Sequence, residues 1–189
     1  GDPVLPSDLG SAQMAMGEVD AAFASWRRAC TLAPAEPMPW FNLGRNLQLQ
    51  GRGEEAVDAL ERACALARKL LPAGVLLGDA LLQVGRLDDA AARYRAALQV
   101  DPGCGDAWRG LANLRSHPLA SEDAAQLQAQ LRRTDLRPGD RIAIGHALGR
   151  LHEERGELAQ ALAALSDAIA LQRARAPWSP RAFEDYLSA

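Results

Sequence analysis

The side chains that could do chemistry are few and scattered. Three histidines, His117, His146 and His152, are the candidates for a general base or a metal ligand. His146 and His152 are six residues apart, which leaves them about 120° from sharing a helical face. His152-Glu153-Glu154 is not a His-Glu-x-x-His zinc motif. His152 stands in a slot filled elsewhere by Leu47 and Leu81, and it reads as a packed side chain. Cys30 and Cys64 occupy equivalent places 34 residues apart. If their segments stack, the two α-carbons lie beyond the ~7 Å that a disulfide spans, so they read as buried thiols. Cys104, in Pro102-Gly103-Cys104-Gly105, is expected to be more exposed, with no second ligand nearby to hold a metal. No Gly-Lys-Ser/Thr follows that loop to cradle a phosphate, and no Gly-x-Ser-x-Gly elbow occurs. Asp88-Asp89 and Glu153-Glu154 read as solvated or helix-capping charges. The expectation is therefore no active site, no metal and no cofactor.

The elements that carry these residues are clearest from Leu71 to Pro102. Leu77, Leu81 and Val84 fall at i, i+4, i+7 before Gly85, and Ala90, Tyr94 and Ala97 repeat that spacing after it. This is a helical hairpin with Asp88 and Asp89 in the first turn of its second helix. Small residues, Gly78 and Ala90, are expected where the two helices cross. The pattern recurs every 34 residues. Gly17, Gly51 and Gly85 keep the step, as do Ala22, Ala56 and Ala90, and Gly10, Gly44 and Gly78. Trp26, Leu60 and Tyr94 keep it as well. In the last third, Leu148-Gly149, Gly156, Ala161, Leu165 and Ala168 return to the register after a three-residue insertion.

A 34-residue period of paired helices resembles the tetratricopeptide repeat (TPR) family. Its pattern is fitted best by Trp40, Leu43, Gly44, Leu47, Gly51, Ala56, Leu60 and Ala63. The resemblance implies an all-α fold, a right-handed superhelix of helical hairpins closed by a short C-terminal capping helix. Repeats are expected at about 3–36, 37–70, 71–104, 105–141 (irregular) and 142–175, with the capping helix at 179–188. The first helix should begin near Ser7 as N-cap. The second helix of repeat two, lacking a terminal proline at Arg68, should run on. His117-Pro118 should break repeat four between Leu114 and Ser121, because an internal proline costs a helix roughly 3 kcal/mol. Ser121 should then cap a helix reaching about Arg133.

In that family the first helices line a groove that binds a protein or peptide. Carried over by position, the lining is Phe41, Arg45 and Gln48, then Val75, Asp79 and Leu82, then Arg109 and Asn113, then His146, Arg150 and Glu153. Arg109 and Asn113 resemble half of the family's clamp for a C-terminal carboxylate, but Ala147 stands where the next asparagine belongs. Arg45, Arg109 and Arg150 against Asp79 and Glu153 lean towards an acidic segment as partner.

At 48% hydrophobic residues the chain suits Ala/Leu-rich helix packing. A net charge of −3 argues against a nucleic-acid partner, and no apolar run is long enough to span a membrane. Lys69 is the only lysine beside 20 arginines, a composition suggesting a bacterial gene. Three unclustered cysteines point to a reducing compartment, the cytoplasm. The segment from Ser121 to Leu187 resembles the closing segment of bacterial proteins in which TPR repeats precede a sulfotransferase-like domain. That resemblance implies a fragment of a longer protein, with a catalytic domain after Ala189; the alternative is a free-standing adaptor.

Overall fold

The structure, a computed structural model, describes residues 4–114 and 117–175. Every described element is a helix, and the chain divides into two compact units at Asp101 and Pro102. The expected capping helix at 179–188 lies outside the described residues.

Unit one holds three hairpins. They are α1 (Val4–Ala15) with α2 (Val19–Leu32), α3 (Pro37–Leu49) with α4 (Gly53–Leu66), and α5 (Leu71–Gln83) with α6 (Leu87–Val100). Each turn is built the same way. Gly17, Gly51 and Gly85 take φ of 79°, 72° and 82°, a left-handed conformation that a side chain resists. That conformation folds the next amide back onto the end of the first helix. Glu18 donates to the Gln13 carbonyl, Arg52 to Leu47 and Arg86 to Leu81, all at 2.9 Å. A 34-residue recurrence of glycine is thus a recurrence of one turn geometry.

The crossings are more specific than a meeting of two small residues. A Cβ on Gly78 would lie 2.5 Å from Tyr94 Cε1, and one on Gly44 2.6 Å from Leu60 Cγ. Gly10 makes the same room for Trp26. The glycine of each first helix is a seat for the large residue of the second, and at Gly44 it also stands against the Ala56 carbonyl, 3.2 Å from the added Cβ. Tyr94, Leu60 and Trp26 are buried as a result. Tyr94 also donates its hydroxyl to Asp79 Oδ1 at 2.6 Å. Tyr94→Phe is expected to lower stability by about 1.5 kcal/mol, since it removes a hydrogen bond to a charged group while keeping the packing. A urea melt of the full chain measures it, and an unchanged midpoint would show the bond to be worth nothing net.

Two helix boundaries in unit one differ from expectation. The helix α1 starts at Val4 rather than near Ser7, with Pro6 inside its first turn, where a missing amide costs no hydrogen bond. Ser7 instead accepts from Asn42 Nδ2 with its hydroxyl and from the Trp26 indole with its carbonyl. The helix α4 stops at Leu66 without a proline, because Ala67 turns away and its carbonyl accepts from Leu70 N–H.

Unit two contains α7 (Gly105–Asn113), α8 (Ser121–Leu131), α9 (Pro138–Glu154) and α10 (Leu158–Arg175). The last pair is a regular hairpin, with Gly156 at φ 73° and Glu157 N–H on the His152 carbonyl. The expected break falls where Pro118 required it: α7 ends at Asn113 and helix resumes at Ser121. Ala120, not Ser121, is the N-cap of α8, and its amide is taken by Asp123 Oδ2 at 2.7 Å. The helix ends at Leu131 rather than Arg133, and α9 begins at Pro138.

The break has a larger effect than interrupting a helix. Among the described residues α7 and α8 do not pack on one another; each packs on α9 instead. In unit one, successive first helices touch only marginally. Here α7 lies directly along α9, so closely that a Cβ on Gly105 would come 2.6 Å from Asp140 Cα. The Asp140 carboxylate, buried, accepts the Gly105 amide at 3.0 Å and Arg137 Nε at 2.5 Å. One helix thus supplies the cap for the N-terminus of the other, where its dipole favours negative charge.

Candidate functional site

The expected groove residues meet different fates. On α3, Arg45 is exposed while Phe41 and Gln48 are half-buried. On α5, Val75 was expected in the lining but is buried at 7% exposure, because α5 packs against α3, α4 and α6 at once. Asp79 and Leu82 are half-buried, and Asp79 is engaged by the Tyr94 hydroxyl.

In unit two the expectation converges on one place. Arg109 and Asn113 of α7 line a cavity of about 240 Å³ together with His146, Arg150 and Glu153 of α9. Ala112, Ala143, Ala147 and Leu165 complete the wall. The cavity is small because α7 and α9 are drawn together, and Ala147 leaves open the space an asparagine would fill. Arg109 holds Asp106 at 2.9 Å and Arg150 holds Glu154 at 3.2 Å; neither acid lines the cavity. The side chains of Asn113, His146 and Glu153 make no hydrogen bond or ion pair among the described residues. Two guanidiniums, an imidazole and an amide face a single carboxylate, so the cavity can hold an anionic group through charge-assisted hydrogen bonds.

The remaining candidates have structural roles. His152 is buried, with its ring Nδ1 on Glu157 Oε2, so it closes the α9–α10 turn. Cys30 is buried and its thiol is pushed up to about 11 by loss of solvation, against a smaller opposing effect of its own backbone. Burial likewise raises Cys64, more than Arg93 lowers it. Cys104 was expected to be more exposed, yet it is buried beneath the start of α7. The loop at Gly103-Cys104-Gly105 offers no anion cradle, since Asp140 already occupies the first amide of α7. No three His, Cys, Asp or Glu side chains gather as a metal site among the described residues.

Larger clefts separate the second helices. They measure about 560 Å³ beside α2 and α4, about 600 Å³ beside α4 and α6, and about 770 Å³ among α8, α9 and α10. Their recurrence between successive second helices in both units ties them to the hairpin geometry, so their size singles out none of them.

Family models for the tetratricopeptide repeat match residues 42–74, 71–114 and 143–166. The chain is built of tetratricopeptide repeats. Cellulose synthase operon protein C of Pseudomonas fluorescens is 32% identical over 130 residues, 66% of this chain and 10% of that protein. The chain spans about a tenth of the length of the first curated relatives it matches. Among solved structures, MamA superposes with a TM-score of 0.71 at 18% identity, covering 89% of this chain and 97% of its own. The first TPR domain of Spaghetti (RPAP3), solved with an HSP90 peptide, gives 0.57 at 19% identity, covering 61% and 91%. These likenesses bear out the all-α TPR fold. The TPR match at 143–166 falls on α9 and α10, and no family match covers α8, the helix that left its hairpin.

Proposed function

We propose that this TPR chain is a non-catalytic scaffold that holds a protein or peptide partner by an acidic segment, with the cavity between α7 and α9 as its anchoring point. The carrying observation is that Arg109, Asn113, His146 and Arg150 line one cavity, in which two polar side chains of the four are unpaired. The peptide held by the RPAP3 domain supports peptide binding as the use of this fold. Three cysteines, none in a disulfide, support a reducing, cytoplasmic setting. We further propose, on the sequence resemblance of residues 121–187 alone, a module of a longer sulfotransferase-like protein, with a free-standing adaptor as the alternative. The open reading frame beyond Ala189 decides between them.

Arg109→Ala is expected to weaken binding of a labelled acidic peptide by about fivefold, the upper range for one exposed charge, with the helical content unchanged. Arg45→Ala tests unit one separately, since Arg45 is exposed and unpaired on α3. Unchanged affinity in both variants would move the binding site away from the first helices.

A further inference from the structure

Glu153 is the odd member of the cavity between α7 and α9. A carboxylate beside two guanidiniums would ordinarily neutralise one of them, and Glu153 is three residues from Arg150, within reach on a helix. Yet Arg150 pairs with Glu154, one residue further on, and Arg109 pairs with Asp106. Arg155, the next cation along α9, donates to the Ala120 carbonyl. Glu153 is left exposed and unpaired, lining the same small cavity as the two arginines. The cavity therefore has two poles: one at the Arg109 and Arg150 guanidiniums with the His146 ring beside them, and an anionic one at Glu153.

Resting on the reading of this cavity as an anchor for an acidic group, we infer that Glu153 makes it selective for a mixed-charge pair. An acidic side chain is held by Arg109 and Arg150, and a basic side chain close to it in the partner's sequence is held by Glu153. The spacing fits. Three residues of α-helix advance about 4.5 Å, and alternate side chains of an extended peptide share a face about 6.6 Å apart, a difference that long Arg and Glu side chains bridge, so the two poles match side chains two positions apart. A cavity of about 240 Å³ also suits one such pair rather than a long acidic run. A uniformly acidic segment would place a second carboxylate against Glu153, where like charges repel.

The test uses the full chain and three fluorescein-labelled peptides that differ only in the pair of residues flanking a central alanine: Asp-Lys, Asp-Ser and Asp-Asp. Fluorescence anisotropy titrations should rank them in that order, with Asp-Lys about fivefold tighter than Asp-Ser. Glu153→Gln should bring Asp-Lys down to Asp-Ser and raise Asp-Asp, with an unchanged circular dichroism spectrum. If the wild type binds all three equally, or Glu153→Gln keeps the Asp-Lys preference, the selectivity is refuted while the acidic anchor stands. If no peptide binds and Arg109→Ala changes nothing, the anchor itself is refuted and the selectivity with it.

Discussion

Trp108→Ala should lower the stability of the chain by about 3–5 kcal/mol, the usual range for removing a fully buried indole. Trp108 is 0% exposed and donates its indole N–H to the Pro102 carbonyl at 2.9 Å. It sits in α7, a helix of nine residues whose expected partner α8 packs elsewhere. So short a helix is marginal alone, and its docking on α9 must hold it. Trp40 makes the same bond to Pro34 but is only half-buried, so Trp40→Ala should cost clearly less. Urea unfolding followed by far-ultraviolet circular dichroism compares the two. Equal losses would mean that α7 depends on its tryptophan no more than a regular repeat does.

Gly105→Ala should be the next most damaging of the changes considered, at about 1–3 kcal/mol. Two effects oppose each other. Alanine is favoured over glycine in a helix by about 1 kcal/mol at most, and less at an end. Against that, the new methyl would sit 2.6 Å from Asp140 Cα and 3.0 Å from its carbonyl oxygen. Backbone cannot swing aside as a flexible side chain can, so α7 and α9 must separate. Separation also lengthens the bond from the Gly105 amide to Asp140 and opens the cavity above it. Gly74 in α5 is the internal control, since a Cβ there meets nothing within 4 Å. Gly74→Ala should stabilise by about 0.5–1 kcal/mol. If Gly105→Ala stabilises as well, the close approach of α7 and α9 is wrong.

The sequence made the regular hairpins readable because each depends on a local requirement. A left-handed turn calls for Gly17, Gly51, Gly85 and Gly156, and a crossing calls for glycine opposite Trp26, Leu60 and Tyr94. Pro118 likewise announced its break. Positional carry-over placed Arg109, Asn113, His146 and Arg150 on one cavity, since α7 and α9 keep the first-helix register even where the repeat between them fails. It misplaced Val75, because whether a first-helix residue faces open space depends on how closely its neighbours stand. Asp140 was missed altogether. In sequence it is the third residue of Pro-Gly-Asp, a loop ending, and its role exists only once α8 has vacated the side of α7. That event is tertiary, and no spacing in the chain encodes it.

Among the described residues of each unit, every helix packs on the one before or after it or on the next but one, and on none more distant along the chain. Native partners are therefore never separated by much more than one hairpin of sequence. Closing such short loops costs little entropy, and folds dominated by local contacts cross their barriers in microseconds to milliseconds. A hairpin such as α1–α2 finds the helix it docks on, α3, in the very next stretch of chain, while α9 and α10 are still unmade. The exception is α7, whose cap and main partner lie on α9. It must wait for about forty more residues of synthesis, at least two seconds at ordinary elongation rates, with Trp108 exposed. Among the described helices, the broken repeat is where the nascent chain stays sticky longest.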